Sequence, residues 1–412
     1  MTRREVLWAG VLGIAAAVLA ACGRAVDSPS SAPGPTATPG SATVPAATAS
    51  TTPTVRPTPT PVGGGVPTLR EKIARMMVVG FRGRTLEDLD WLKHDIGVLG
   101  VGGVILFDRD QETGVLRNVE SPAQARALVA ELKALAPQRE VIVAIDQEGG
   151  IVTRLSPKHG FPALASEAAI GEQGDSDVQA WADGLVATLA AAGINLNFAP
   201  VVDLDVNPDN PAVGALDRAF SADPAVVSRD AEIELQAHRA KGIRTALKHF
   251  PGLGSATANT DFGVADVTAT WTAKELDPYR ALIGTGLMDL VMAAHVVNGQ
   301  IEPNVPASLS KATITDLLRG ELGWDGIVVT DDMQAAAITE TFGADDAVAM
   351  AIEAGCDLLL FANQQIYDPE RARKVIDLVE RLVEQGRIPE ARIDESVTRL
   401  EQRFPSGAAP AG

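Results

Sequence analysis

Between Leu69 and about Phe404 the chain alternates short apolar runs with longer stretches whose apolar positions recur at helical spacing. Eight runs stand out: Met76–Phe81, Val101–Phe107, Val141–Ile145, Leu196–Pro200, Thr245–His249, Val291–His295, Gly326–Thr330 and Asp357–Phe361. Most are rich in Val, Ile, Leu and Ala and do not alternate with polar residues, as expected of strands covered on both faces. The Ala- and Glu-rich stretches between them, among them Ala123–Leu135, Asp177–Ala192, Val226–Lys241 and Asp345–Ala354, predict helices, and Arg371–Gln385 the final one. Strand then helix, eight times over, predicts an α/β fold closed into a TIM-type (β/α)8 barrel. A doubly wound open sheet has the same alternation. It would be favoured by a glycine-rich fingerprint after the first strand, and Gly80-Phe81-Arg82-Gly83 is not one. Residues 66–405 are therefore expected to form a single barrel domain, with no second large domain and with 406–412 as a disordered tail.

The pattern changes before residue 66. Arg3 and Arg4 precede a mostly apolar stretch from Leu7 to Ala21, the composition and length of a signal segment spanning 1–21. It is too short and wrongly flanked for a transmembrane helix. Leu19-Ala20-Ala21-Cys22 resembles the bacterial lipobox, which implies cleavage before Cys22 and diacylglycerol on its thiol. A plain secretory signal with a chance cysteine is the alternative. Residues 24–65 are mainly Ser, Thr, Pro, Ala and Gly and cannot build a core, so 22–65 is expected to be a lipid-bearing cysteine on a disordered, extended tether. The barrel would then lie outside the cytoplasm, anchored to the bacterial cell membrane through Cys22.

Composition narrows the partners. Apolar residues make up 46% of the 412, enough for a large core, although aromatics at 4% leave the aliphatic residues to fill it. The 35 Lys and Arg stand against 53 Asp and Glu, and a net charge of -18 argues against nucleic acid and against polybasic membrane attachment. Two cysteines make no disulfide framework in a chain this long, and Cys356 reads as a buried core thiol at the eighth strand. There is no HExxH, no ordered Cys/His group, no GxSxG elbow and no GKS/T phosphate loop, so neither a metal nor an organic cofactor is expected. His94, His159 and His238 read as surface or helix residues. The chain is expected to act as a monomer.

In a parallel barrel the C-terminal strand ends face the site. The third strand runs into Asp146-Gln147-Glu148-Gly149-Gly150, with Arg154 close behind. Asp203 follows the fourth, and Arg218 comes from the long loop beyond it. Lys248-His249 end the fifth, His295 the sixth, and Asp331-Asp332 the seventh. Any one of these could be a helix cap or core support. Polar ends on five successive strands are harder to explain as caps. Carboxylates with a lysine and arginines, and no metal triad, suit a polyhydroxylated ligand, because carboxylates accept from paired hydroxyls and the cations donate to ring substituents.

These segments resemble family 3 glycoside hydrolases. Asp146 to Arg154 is similar to the DQEGGRVxR segment, Lys248-His249-Phe250-Pro251-Gly252 to KHFPG, and Val328-Val329-Thr330-Asp331-Asp332-Met333 to the segment that carries the nucleophile. Ala199-Pro200-Val201-Val202-Asp203, Asn210-Pro211, Arg218-Ala219-Phe220 and Met292-Ala293-Ala294-His295 fit the intervening segments. The resemblance covers roughly Leu69 to Phe404, with the segments in order. Its nearest subgroup is the single-domain β-N-acetylglucosaminidases, which lack the second domain that supplies an acid/base in many β-glucosidases of the family. It implies retaining hydrolysis with Asp331 as nucleophile. It also implies that Asp146, Arg154, Arg218, Lys248, His249, Asn259 and His295 hold the sugar, while Asp332 orders the loop. The substrate implied is a terminal β-linked N-acetylhexosamine on wall-derived or chitin-like fragments. A β-glucosidase or β-xylosidase of the same family, and an inactive glycan-binding lipoprotein, are the alternatives.

The chain departs from that subgroup where the acid/base should be. The subgroup uses a histidine in an Asp-Ser-His triplet within the loop after KHFPG. Here the place is taken by Asn259-Thr260-Asp261, with Asp261 at the histidine position. Ile151 replaces an arginine of the third-strand motif, and Leu253 replaces a histidine after FPG. Three readings follow. Asp261 serves as general acid/base, its pKa raised by burial or by Asp331, with Asn259 orienting it. Alternatively Asp266 or Glu148 serves. In the third reading the protein binds sugar without cleaving it.

Overall fold

The structure is a computed structural model that describes residues 66–407; the signal segment, Cys22 and the tether lie outside the described residues. Eight parallel strands close a barrel in sequential order: β1 Met77–Gly80, β2 Gly103–Leu106, β3 Ile142–Ile145, β4 Leu196–Asn197, β5 Arg244–Phe250, β6 Leu290–Ala293, β7 Ile327–Asp332 and β8 Leu358–Phe361. Closure is made by β1 against β8, with Met77 opposite Leu359 and Val79 opposite Phe361. Every residue of β1, β2, β3, β6 and β8 is buried, which explains why their sequences run apolar without alternation. Each of the eight apolar runs overlaps one strand, so the barrel expected from the sequence is the one observed.

The outer ring contains α1 Leu69–Arg75, α2 Pro122–Ala134, α3 Asp175–Ala192, α4 Pro224–Ala240, α5 Asp277–Ile283, α6 Ala344–Ala354, α7 Arg371–Glu384 and α8 Glu390–Arg403. Their starts follow from local chemistry. Thr68 and Glu71 form a reciprocal capping box on α1. Ser121 and Asp223 accept from the first turns of α2 and α4, each with proline at the first helical position, where a missing N–H costs nothing.

Two local expectations are corrected. β4 pairs as a strand only at Leu196–Asn197, because Pro200 has no N–H for the ladder; pairing resumes as an isolated bridge between Val201 and Lys248. Arg371–Gln385 is not the final helix. α8 follows it and packs on α1, burying only Ile393, Ser396 and Leu400 in an otherwise polar segment. So thin a stripe is a weak signal in sequence. Beyond α8, Phe404 is buried and Ser406 bridges Arg139.

At the foot of the barrel Asp357, at the entry to β8, is fully buried. Its Oδ1 accepts from Arg392 Nη2 at 3.0 Å, Ser396 Oγ at 2.9 Å and Arg399 Nη1 at 3.3 Å. Its Oδ2 accepts from Arg319 Nη2 at 2.7 Å and from the Val328 N–H at 3.0 Å. The adjacent Cys356 is the buried thiol expected. Burial pushes its pKa up to about 12, and its Sγ–H donates to the Ser308 carbonyl.

Candidate active site

The C-terminal strand ends converge on a cavity of about 480 Å³. After β3, Gln147–Gly149 pairs with Val152–Thr153 as a small hairpin, which returns the chain so that Arg154 faces Asp146. The turn needs its glycines. Gly149 has φ +93° and Gly150 φ +58°, and a Cβ on Gly149 would come 2.2 Å from the Ala165 carbonyl oxygen. Arg154 lies over the Phe107 ring at 5.3 Å and 3.5 Å from Asp146.

Behind these residues lies a buried ion network. Lys248 Nζ is 2.9 Å from Asp146 Oδ1 and 2.6 Å from Glu148 Oε1. Arg218 grips Glu148 through both oxygens, at 2.7 Å from Nε and 2.8 Å from Nη2. Burial opposes the Glu148 charge, but Arg218 and Lys248 outweigh it and hold its pKa far below the carboxylate range. Glu148 is therefore an anchor for two cations and not a proton donor, which removes it as the acid.

His249 lines the cavity, and its Nδ1 sits 2.6 Å from Asp203 Oδ2. Asp203 Oδ1 also accepts from the backbone N–H of His249 and of Leu253. One buried carboxylate thus sets the imidazole and the start of the loop after β5. The sequence marks Asp203 as a strand-end residue, but only the fold reveals this grip. Asn210 anchors the same loop by donating to the Leu253 and Gly254 carbonyls.

Asp331, on β7, and Asp261, in the loop after β5, line the same cavity. Burial would raise the Asp331 pKa. The nearby His295 and His249, the Asp332 N–H at 2.8 Å and Lys248 outweigh that and hold it below the ordinary value. Asp261 is pushed the other way, up to about 6, by burial first and by Asp331 second, against the opposing influence of Arg218 and His249. Two carboxyls with pKa values driven apart are what acid and nucleophile roles require. Asp332 behaves as a loop organiser: its Oδ1 accepts from the Gln334 and Ala362 N–H groups, and burial pushes its pKa up to about 7.

Three sequence expectations change. Asp266 is exposed, lies outside the cavity lining and has its pKa lowered by Thr268, so it does not suit an acid. Asn259 lines the cavity, but its Oδ1 accepts from the backbone N–H of Asp261 and not from its carboxyl, so it shapes the turn. His295 is fully engaged behind the cavity wall. Its Nε2–H donates to the Asp332 carbonyl at 2.9 Å, its Nδ1 is hydrogen-bonded with Ser308 Oγ at 2.7 Å, and burial lowers its pKa. It braces the β7 end and is not among the residues lining the cavity.

The Asp261 loop is held down by contacts that no motif announces. Ala336 and Ala337, just beyond β7, donate their N–H groups to the carbonyls of Asp261 and Thr260. Gln365, in the loop after β8, donates its Nε2 to the Asp261 carbonyl at 3.0 Å. Gln365 was missed in the sequence because nothing local distinguishes it.

Known proteins share the sequence and fold of this chain. The profile of the Glycosyl hydrolase family 3 N terminal domain matches residues 68–402. A beta-hexosaminidase of Xanthomonas euvesicatoria pv. vesicatoria is 37% identical over 303 residues, covering 71% of this chain and 84% of that protein. One of Xylella fastidiosa (strain M23) is 38% identical over 305 residues, with the same two coverages. Among solved structures, a glycoside hydrolase family 3 beta-N-acetylglucosaminidase from Paenibacillus sp. str. FPU-7 matches with TM-score 0.75 at 35% identity. The match covers 84% of this chain and 64% of that one, so this chain spans less than two thirds of the Paenibacillus enzyme. A beta-N-acetylhexosaminidase from Beutenbergia cavernae DSM 12333 matches with TM-score 0.73 at 33% identity, covering 82% and 99%.

Proposed function

Because this chain belongs to glycosyl hydrolase family 3 and is a glycoside hydrolase related to the beta-hexosaminidases, we propose that it is a retaining exo-β-N-acetylglucosaminidase with Asp331 as nucleophile and Asp261 as acid/base. One observation carries the reading: a carboxylate held ionised and a carboxyl pushed up to about 6 share one cavity. Asp331 Oδ1 is occupied by the Asp332 N–H, which leaves Oδ2 to attack the anomeric carbon. The bond from that carbon to the glycosidic oxygen breaks as Asp261 gives its proton to the oxygen. The sugar is left as an ester on Asp331. Asp261, now ionised, takes a proton from water, whose oxygen displaces Asp331 and restores the original configuration.

The cations of the buried network would face the sugar and its N-acetyl group, held rigid by Glu148 and Asp146. The N-acetyl preference leans on the relatives. The lipid-anchored placement read from Cys22 would present the cavity to wall-derived fragments outside the membrane. Leaving-group dependence tests the scheme. Asp261→Asn should lose much more activity on methyl N-acetylglucosaminide than on the nitrophenyl glycoside, and wild-type kcat/KM should fall as pH rises through about 6, where Asp261 loses its proton. Equal loss on both substrates would remove Asp261 from the role. Faster turnover of the nitrophenyl glucoside than of the N-acetylglucosaminide would overturn the sugar assignment.

A further inference from the structure

Large apolar side chains that remain exposed gather at one end of the molecule. Ile151 tips the hairpin after β3, Val206 follows β4, Phe262 follows β5 and Ile366 follows β8. Among the described residues only Val66 lies outside the loops of this face. Two of these side chains are placed by the site itself. Gln365 donates to the Asp261 carbonyl, so Phe262 and Ile366, each the next residue on its loop, flank one hydrogen-bonded pair. Phe262 is 70% exposed and Ile366 48%. Further backbone bonds from Ala336 and Ala337 pin the Phe262 loop, so its ring is presented by an ordered backbone.

The proposed chemistry says what passes this edge. The oxygen protonated by Asp261 has a second bond, to the aglycone. Adjacent Cα atoms are about 3.8 Å apart, so the Phe262 backbone lies one residue's span from the group that protonates the leaving oxygen. We infer that Phe262, with Ile366 beside it, is the platform for the first aglycone sugar, making β-linked oligosaccharides the preferred substrates over simple glycosides. A pyranose offers an apolar face of C–H groups to an aromatic ring while its hydroxyls stay in water. Phe262 and Ile366 each directly follow a residue that lines the cavity, Asp261 and Gln365, which favours a sugar over other occupants. The chain's net charge of -18 also disfavours an anionic lipid surface. The inference rests on Asp261 being the acid.

The test compares kcat/KM on N,N′-diacetylchitobiose with kcat/KM on β-N-acetylglucosaminyl fluoride, which carries no aglycone ring. Phe262→Ser should lower the disaccharide-to-fluoride ratio by up to about tenfold, mainly through KM. Ile366→Ser should lower it less, and Phe262→Trp should keep it. In the Asp331→Asn background, calorimetry should show the affinity for the disaccharide falling relative to the monosaccharide by a similar factor, a readout independent of turnover. An unchanged ratio and unchanged relative affinity in Phe262→Ser would overturn the platform. So would the same result accompanied by weaker vesicle binding or self-association, which would assign the edge to a membrane or to a second copy. Failure of the acid assignment shows separately, as a loss in Asp261→Asn that does not depend on the leaving group.

Discussion

Two buried carboxylates, one at each end of the barrel, hold clusters of cations. At the foot, Asp357 is shared by Arg319, Arg392 and Arg399, with Ser396 and a β7 N–H completing its shell. At the mouth, Glu148 is shared by Arg218 and Lys248. The chemistry is nearly the same, and both carboxylates are inaccessible. Only the upper cations open onto the active-site cavity: Arg218 and Lys248 line it with Asp331, and none of the Asp357 partners does. A buried ion cluster therefore says little about function by itself. In a barrel, its end and its access decide the matter. The lower cluster ties α8 and β8 together, and the upper one aims donors at a ligand.

The comparison can be sharpened by substitution. The largest effect belongs to Asp331→Asn, which should reduce kcat on the N-acetylglucosaminide by at least about 10³-fold while the melting temperature stays close to wild type. A drop in stability of the same order as the loss in activity would return Asp331 to a structural role. Next comes the matched pair Glu148→Gln and Asp357→Asn. Each leaves buried guanidinium or ammonium groups uncompensated and should cost about 3–5 kcal/mol in denaturant unfolding. Their kinetics should part: Glu148→Gln should also lower kcat/KM of the folded enzyme roughly 10- to 100-fold by releasing Arg218 and Lys248, whereas Asp357→Asn should leave it unaltered. If both variants lose activity alike, the division between the two ends fails.

The smallest effect concerns pH. Glu275 is buried beneath the loop after β5, its Oε2 accepting from the Gly254 N–H while its Oε1 has no partner. Burial pushes its pKa up to about 7. A carboxyl whose folded pKa lies above its unfolded one contributes stability that is fully present below the unfolded pKa and is lost as pH rises through the folded one. The window runs from roughly pH 4 to 7. Glu275→Gln should therefore be more stable than wild type at pH 8 by on the order of 1 kcal/mol, with the difference vanishing near pH 4. Thermal melts at the two pH values check this; a gain confined to pH 4 would reverse the assigned sign.

The eight strands were legible because strands covered on both faces run mostly apolar without alternation, a property written locally. The strand-end motifs were legible for a related reason: Asp146, Lys248 and Asp331 each interrupt an apolar run at the point where it must stop. The run at Leu196–Pro200 was located correctly but overestimated as a strand, since an apolar run does not reveal that Pro200 lacks a donor. α8 escaped because Ile393 and Leu400 are too few to outweigh its charged surface. His295 looked like a ligand because a histidine at a strand end has the same signature whether its nitrogens face a sugar or, as here, Ser308 and the Asp332 carbonyl.

By itself the sequence determined the barrel, the order of its strands and which polar side chains stand at their ends, because burial and periodicity are properties of neighbouring residues. The tertiary structure decided which of those polar groups share a cavity and what charge each carries there. Asp261 owes its raised pKa to burial and to Asp331, and its place to Gln365, 104 residues further along the chain. A proton's free energy depends on the charges and the solvent exclusion around it, and in a closed barrel those come from strands far apart in sequence.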